Sequence, residues 1–460
     1  MRLEVGIFTW GDKLGLFGAG MVGFPALQKN VAEIWEFVSR PLRAFGDRLI
    51  FLCKIQFSSP PAIVALLATV TTIAGIIVWY QSGSSSALAA ALTVSSGVIW
   101  IASLFLSIVK YNETSVVDGS TEFNNAITRI GHDIPSGYKI IARNGFEDPI
   151  LCYDVSGDEL NVCRRLIRVI PKQFRINRDI IPDPTKLPIG RLFTTTNDLK
   201  IRLASEISKD TISCEEPIKL QKTDYFSDRS TNGIAKKAFE VRGKITRYGC
   251  SLMMPDGRLA RLDKADALSN QLGGSTLLLT GDSRLVYIMQ GPKSDENAQR
   301  LASSGSGSFD WQNVATRDGE VFVCFVKSEI ERELREEVGV GEKAKLETRL
   351  VGFSRLLYRN GKPDFMAISL TDAPFEELSV RFNERKFVNR YIKYFDVDGR
   401  TVSALREALH RFSNCIEEGR IGPYTNLGTA STPLLANIYF ASEYLEQTTG
   451  LGFIETFYKN

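Results

Sequence analysis

The sequence predicts a membrane-anchored α/β protein, in which an N-terminal two-helix transmembrane hairpin precedes a cytoplasmic mixed α+β region. Three observations carry that reading. No Asp, Glu, Lys or Arg occurs from Ile55 to Val109. From residue 110 onward charge returns in near balance, 49 Lys+Arg against 48 Asp+Glu. From about residue 263, short β-rich runs alternate with amphipathic stretches, the pattern of a domain that packs helices on a sheet.

The charge-free span contains "PAIVALLATVTTIAGIIVWY" (61–80) and "ALAAALTVSSGVIWIASLFLSIV" (87–109), joined by "QSGSSS". Each segment is long enough to cross a bilayer as a helix. A pair of buried core helices is the other reading, but core helices of this length rarely lack all charge. Arg40, Arg43, Arg48 and Lys54 precede the first span, Lys110 comes after the second, and the turn carries no basic residue. The positive-inside rule then predicts a multi-pass protein with both termini cytoplasmic. Thr71 and Gly75 in the first span, and Thr93, Ser96, Trp100, Ser103 and Ser107 in the second, are spaced for close helix packing. That packing is either within the hairpin or along a seam between copies of a homo-oligomer.

Residues 1–54 form a cytoplasmic segment. Val31, Ile34, Trp35 and Val38 have helical spacing with basic residues after them, which fits an interfacial amphipathic helix or a plain soluble one. "GAGMVG" (18–23) matches a dinucleotide-binding pattern but reads as a glycine-rich turn, since no strand precedes it and Pro25 would break a helix starting there.

Composition excludes several functions. A near-neutral chain beyond residue 110 argues against binding long nucleic acids through charge. The seven cysteines are odd in number and lack metal-ligand spacing, so they read as reduced thiols. With only His132 and His410, a histidine-rich metal site is excluded.

Residues 111–262 read as a mixed α+β connecting region. "GYKIIAR", "LIRVI" and "FEVRGKITRYGCSLMM" predict strands, "NDLKIRLASEIS" a helix, and the proline-rich "DIIPDPTKLPIG" (179–190) a linker. Residues 263–460 predict a final domain. "STLLLTGDSRLVYIMQG" is a hairpin turning at "GDS", and "SSGSGSFDW" (303–311) a flexible loop. "EVFVCFV" fits a strand or a helix start. "SEIERELREEVGV" predicts a helix capped by Ser328, with strands after it at "LVGFSRLL" and "FMAISL". "TVSALREALHRF" and "STPLLANIYFASEYLEQTTG" predict helices, the latter with Thr432 as cap and Pro433 in its first turn.

The helix "RELREEVGV" (332–340) carries the chemistry. Glu333, Glu336 and Glu337 are three or four residues apart or adjacent, so they crowd one side of a helix. Crowded anions need a cation. Hard oxygen ligands suit Mg2+ or Mn2+, and the interleaved Arg332 and Arg335 are the alternative, as in any solvated salt-bridged helix.

These residues resemble the second half of the Nudix box, met by Arg332, Glu333, Leu334, Glu336, Glu337, Gly339 and Val340. The resemblance covers roughly 265–412 and implies a Nudix-like α/β/α sandwich. It implies divalent metal held by Glu333, Glu336 and Glu337, with Glu333 catalytic in an active enzyme. It also implies that Arg332 orients a glutamate and Gly339 ends the helix. The first half of the box is rearranged: its glycine and glutamate positions hold Asp318 and Cys324, and Glu320 or Glu329 stands in for the missing acid.

Together with "LQKTDYFSDRSTN" (220–232), "SGSGS" and "GKPDF", the arrangement is similar to the transmembrane–Nudix effectors of bacterial cyclic-oligonucleotide antiphage systems (CBASS), with their SMODS-associated Nudix domain. That likeness implies an inner-membrane effector. It would sense a cyclic oligonucleotide second messenger and disrupt the lipid bilayer through its hairpin. The expected ligand contacts are backbone N–H groups of Gly305, Ser306 and Gly307 and the side chains of Arg355, Arg359 and Lys362. A membrane-anchored, metal-dependent Nudix hydrolase of a nucleoside diphosphate derivative and a protein-binding scaffold are the alternatives.

Overall fold

The computed structural model describes residues 43, 114–141, 149–153, 157–176, 196–291, 299–379, 388–419, 430–447 and 452–459. The chain divides into two units, Met1–Lys54 with Gly190–Asn197, and Ile55–Ile189 with Asp198–Asn460. Of the first, only Arg43, Thr196 and Asn197 are described. The second unit carries the sheets and the site.

In chain order its strands begin with β1 (Thr114–Asp118), β2 (Tyr138–Ile141), β3 (Ile150–Tyr153), β4 (Ile167–Ile170) and β5 (Leu199–Leu203). Next come β6 (Ile218–Asp224), β7 (Lys237–Val241), β8 (Lys244–Tyr248), β9 (Gly273–Leu279) and β10 (Arg284–Gln290). The last are β11 (Leu301–Ser303), β12 (Gly305–Ser308), β13 (Leu346–Leu356), β14 (Lys362–Thr371) and β15 (Val388–Asp396). The helices are α1 (Ser120–His132), α2 (Gly157–Asn161), α3 (Lys209–Ile212), α4 (Tyr225–Thr231), α5 (Phe322–Glu337), α6 (Val402–Glu417), α7 (Thr432–Glu446) and α8 (Phe453–Lys459).

Nine strands form one mixed sheet in the order β11-β10-β9-β14-β13-β3-β2, with β12 also on β9 and β15 also on β10. Its centre, β9 against β14, is a parallel pair. Both strands are buried along their whole length, as a central pair covered on both faces requires. The β9–β10 hairpin turns at "GDS", where Ser283 takes a left-handed φ of 64°. Leu278 and Val286 pack with Leu334 of α5 on one face. Leu277, Leu279, Met366 and Ile368 pack with α6, α7 and α8 on the other. Two three-stranded sheets, β1-β7-β8 and β4-β6-β5, accompany it. One apolar core joins Phe123, Leu203 and Leu220 to Phe322, Phe325 and Phe365, so residues on either side of 263 share it.

The membrane-anchored fold class and the multi-pass inner-membrane placement are corrected here. No helix among the described residues is long and apolar enough to cross a membrane. The longest, α5 and α6, have 16 residues, about 24 Å of rise against a hydrocarbon core of about 30 Å, and both carry charged faces. The segments 61–80 and 87–109, the interfacial helix and the linker 179–190 lie outside the described residues. What the structure shows is an α/β fold with mixed sheets.

Four local expectations also change. "NDLKIRLASEIS" contains strand β5, because Leu199, Ile201 and Leu203 alternate and pair along β6. "EVFVCFV" opens helix α5, so Ser328 lies inside the helix, its hydroxyl donating to the Phe325 carbonyl at 2.8 Å. The cap of α7 is Ser431 rather than Thr432, its hydroxyl oxygen accepting from Leu434 N–H. The glycine-serine segment is strand β12, hydrogen-bonded to β9, and not a loose loop.

Candidate functional site

The last two turns of α5 face β12. The helix packs closely against the two glycines there. A Cβ on Gly305 would lie 3.1 Å from Leu334, and one on Gly307 would lie 2.5 Å from the Glu333 carboxylate. Gly339 ends the helix in a left-handed conformation, φ 69°, with no room for a Cβ against the Ser379 carbonyl.

Helical spacing then gathers the acids around one guanidinium. Arg332 pairs with Glu333 at 2.5 Å, Glu336 at 2.6 Å, Glu329 at 3.2 Å and Asp310 at 3.6 Å. Glu329, in the turn before Arg332, is buried and also accepts from Asn313 Nδ2 at 2.9 Å. Of the two stand-ins for the missing acid, Glu329 enters the cluster, whereas Glu320 pairs with Arg317 at the surface. Asp318 accepts from Val169 N–H, and Cys324 is exposed on the first turn of α5. Glu337 accepts from the Ser306 backbone N–H at 2.8 Å.

A second cation arrives from outside the acidic helix. Lys200 lies on β5, whose backbone is tied to the strand ends by Ile201 N–H to Phe309 O and Leu272 N–H to Ile201 O. Its Nζ donates to Asp310 Oδ1 at 2.5 Å and to the Ser308 carbonyl at 3.0 Å. The cluster therefore holds five carboxylates, Asp310, Glu329, Glu333, Glu336 and Glu337, against two cations. Burial pushes the Glu333 carboxyl up to about 7, with Arg332 and Lys200 pulling the other way. For Arg332, burial disfavours the charge, but the surrounding carboxylates outweigh it and hold the guanidinium protonated.

The expected ligand contacts divide. Gly305, Ser306 and Gly307 lie against the acids, but as a paired strand whose Ser306 N–H already serves Glu337. They form no phosphate cradle. Arg355 is fully buried, donating to the Ala260 and Gly361 carbonyls, because long side chains inside a core must bring their own partners. Arg359 pairs with the buried Asp228. Lys362 is buried beside Asp364 at 3.7 Å. A Cβ on Gly274 would meet Ile330 of α5, whereas one on Gly273 would meet Lys362 and Asp364. Successive strand residues face opposite sides, so Lys362 lies on the far face of the sheet from the acids. These three cations are not brought to the site.

In this arrangement the carboxylates expected to hold a metal, Glu333, Glu336 and Glu337, already have partners within the protein. Among the described residues no group of three or more His, Cys, Asp or Glu is placed to hold a metal ion. Arg332 takes Glu333 and Glu336, and Ser306 takes Glu337. His132 and His410 are exposed and outside the cluster.

Sequence reasoning missed Lys200, Asp310 and Asn313. Asp310 had a local signal, lying directly after the glycine strand. Lys200 had none, since it reaches the site only through long-range pairing.

No family model matches the chain, and no curated protein does. Among solved structures, the crystal structure of DR0079 from Deinococcus radiodurans is similar at 14% identity. The likeness covers 37% of this chain and 81% of that one, with a TM-score of 0.23, which bears on neither fold nor function.

Proposed function

We propose that the α5 cluster is a ligand-sensing site that takes a cyclic oligonucleotide, in the antiphage role that the resemblance to CBASS effectors implies. One observation supports this best: Glu333 and Glu336 are already held by Arg332 of the same helix. Catalysis is helped by groups that stand ready for the transition state. Here Glu333 and Glu336 must first leave Arg332. A ligand shifts such an equilibrium through its differential affinity for the opened state, which is how a sensor works.

The second reading is a Nudix hydrolase of a nucleoside diphosphate derivative. It is favoured by the Glu333 carboxyl, whose position near 7 suits a general base.

Calorimetry of the full chain with a panel of cyclic di- and trinucleotides, in buffer containing Mn2+, tests both. The sensor reading expects binding without turnover, and at least about tenfold tighter binding for Glu336→Gln plus Glu337→Gln, which frees Arg332 from a competing carboxylate and removes charge that repels phosphate. Release of nucleoside monophosphate from a nucleoside diphosphate derivative by the wild type, but not by Glu333→Gln, moves the assignment to the hydrolase. Neither binding nor turnover across the panel refutes both.

A further inference from the structure

A cleft opens on the face of the sheet opposite α5. It holds about 150 Å3 and lies between α7, the start of α2, and Lys139 of β2, Tyr153 of β3 and Val351 of β13. Its walls include three aromatic side chains of α7, the adjacent Tyr439 and Phe440 and, about one turn on, Tyr444. The wall is fixed by glycines. A Cβ on Gly157 would sit 2.6 Å from the Tyr444 ring, and Gly352 has no room for one against Phe440. The cleft is therefore built by close packing.

Its charged groups are two carboxylates and one ammonium. Glu159 and Glu443 line the cleft and are exposed, so their carboxylates form a rim. The Gln447 Oε1 atom, on another lining residue, is buried and accepts no hydrogen bond among the described residues. Behind Tyr444, Asp158 accepts the Tyr444 hydroxyl on Oδ1 at 3.2 Å, while its buried Oδ2 accepts nothing among the described residues. Buried acceptors without donors call for one. Lys139 also lines the cleft and is hydrogen-bonded to the Tyr439 hydroxyl.

We propose that this cleft binds a small organic ammonium ion: one ring or compact apolar body against Tyr439, Phe440 and Tyr444, with its N–H donors towards Gln447 and the Glu159–Glu443 rim. Aromatic faces attract cations through the ring quadrupole, and the rim carboxylates add to that field. The volume of about 150 Å3 limits the buried body to about the size of one benzene ring. An anion would meet two carboxylates against the single ammonium of Lys139, which is already hydrogen-bonded to Tyr439, so the site discriminates by charge. The cleft is separate from the α5 cluster, and its assignment stands or falls independently of the sensor reading.

The probe is benzylammonium, titrated into the full chain and monitored by saturation-transfer NMR, with benzyl alcohol and benzoate as neutral and anionic counterparts. Benzylammonium is expected to bind with a Kd on the order of millimolar, at least about tenfold more tightly than either counterpart. Glu159→Gln plus Glu443→Gln, both at exposed positions, is expected to weaken it about threefold to tenfold. Tyr439→Leu should weaken it further, while Glu336→Gln in the α5 cluster should leave it unchanged. Equal binding of benzyl alcohol, or no transfer from benzylammonium, overturns the proposal. So does an affinity indifferent to both cleft variants.

Discussion

Around Arg332 the partners are carboxylates; around Arg355 they are backbone carbonyls. Arg332 is 24% exposed at its side chain and touches Glu329, Glu333, Glu336 and Asp310. Arg355 is fully buried and donates to Ala260 O and Gly361 O. Each has a glycine beside it, Gly307 against Glu333 and Gly361 against the Arg355 guanidinium. The carbonyls cannot titrate or move independently of the backbone, so Arg355 is a fixed staple. Carboxylates at the edge of solvent can be protonated or bound by an incoming cation. The difference separates a structural arginine from one whose partners remain open to chemistry.

The largest effect should come from removing the staple. Arg355→Met takes the guanidinium donor from one buried and one half-buried carbonyl, Gly361 O and Ala260 O, and the expected loss is roughly 2–4 kcal/mol of unfolding free energy. Urea denaturation of the full chain measures it. The loss should be the same at about pH 5 and about pH 8, because the carbonyls that hold the guanidinium do not ionise. A loss under about 1 kcal/mol would mean that water replaces the guanidinium, and the staple description would be wrong.

The Arg332 cluster should respond to pH instead. Glu333 is raised from the ordinary carboxyl range to about 7 by burial. A raised acid binds its proton more tightly in the folded chain than in the unfolded one. Stability from this group is therefore present below the ordinary carboxyl pKa, falls as pH rises towards about 7, and is level above that. At about 1.4 kcal/mol per pKa unit the fall is at most about 3.5 kcal/mol. Urea midpoints at several pH values should show it in the wild type and lose it in Glu333→Gln. An identical slope in both would sink the assignment.

The same contrast explains what was legible in the sequence. Glu333, Glu336 and Glu337 were visible because helical spacing is local, and the "GDS" turn because hairpin chemistry is local. Arg355, Arg359 and Lys362 resemble ligand contacts in the sequence, which shows their charge and not their burial. The "SGSGS" strand looked like a loop because glycine usually marks one; here it admits Leu334 and the Glu333 carboxylate at short range. β5 looked helical because "ASEIS" after it dilutes the alternation of Leu199, Ile201 and Leu203. That misreading hid Lys200, whose place depends on pairing with residues more than 60 positions away.

Lys200 gives the smallest stability effect and the sharpest test of coupling. Its pair with Asp310 is partly solvated, 16% and 24% exposed at the side chains, so Lys200→Met should cost less than about 1 kcal/mol near neutral pH. Its charge, however, favours the ionised form of Glu333. Removing it leaves burial less opposed, and the Glu333 proton should be held to higher pH. The pH window of the stability fall should therefore move upward in Lys200→Met and stay in place in Lys200→Arg, which keeps the charge. The urea series used for Glu333→Gln reads this directly. Suppose Lys200→Met leaves the window where it was while Glu333→Gln still abolishes it. Then β5 contributes packing alone, and the cation that tunes the cluster is Arg332 by itself.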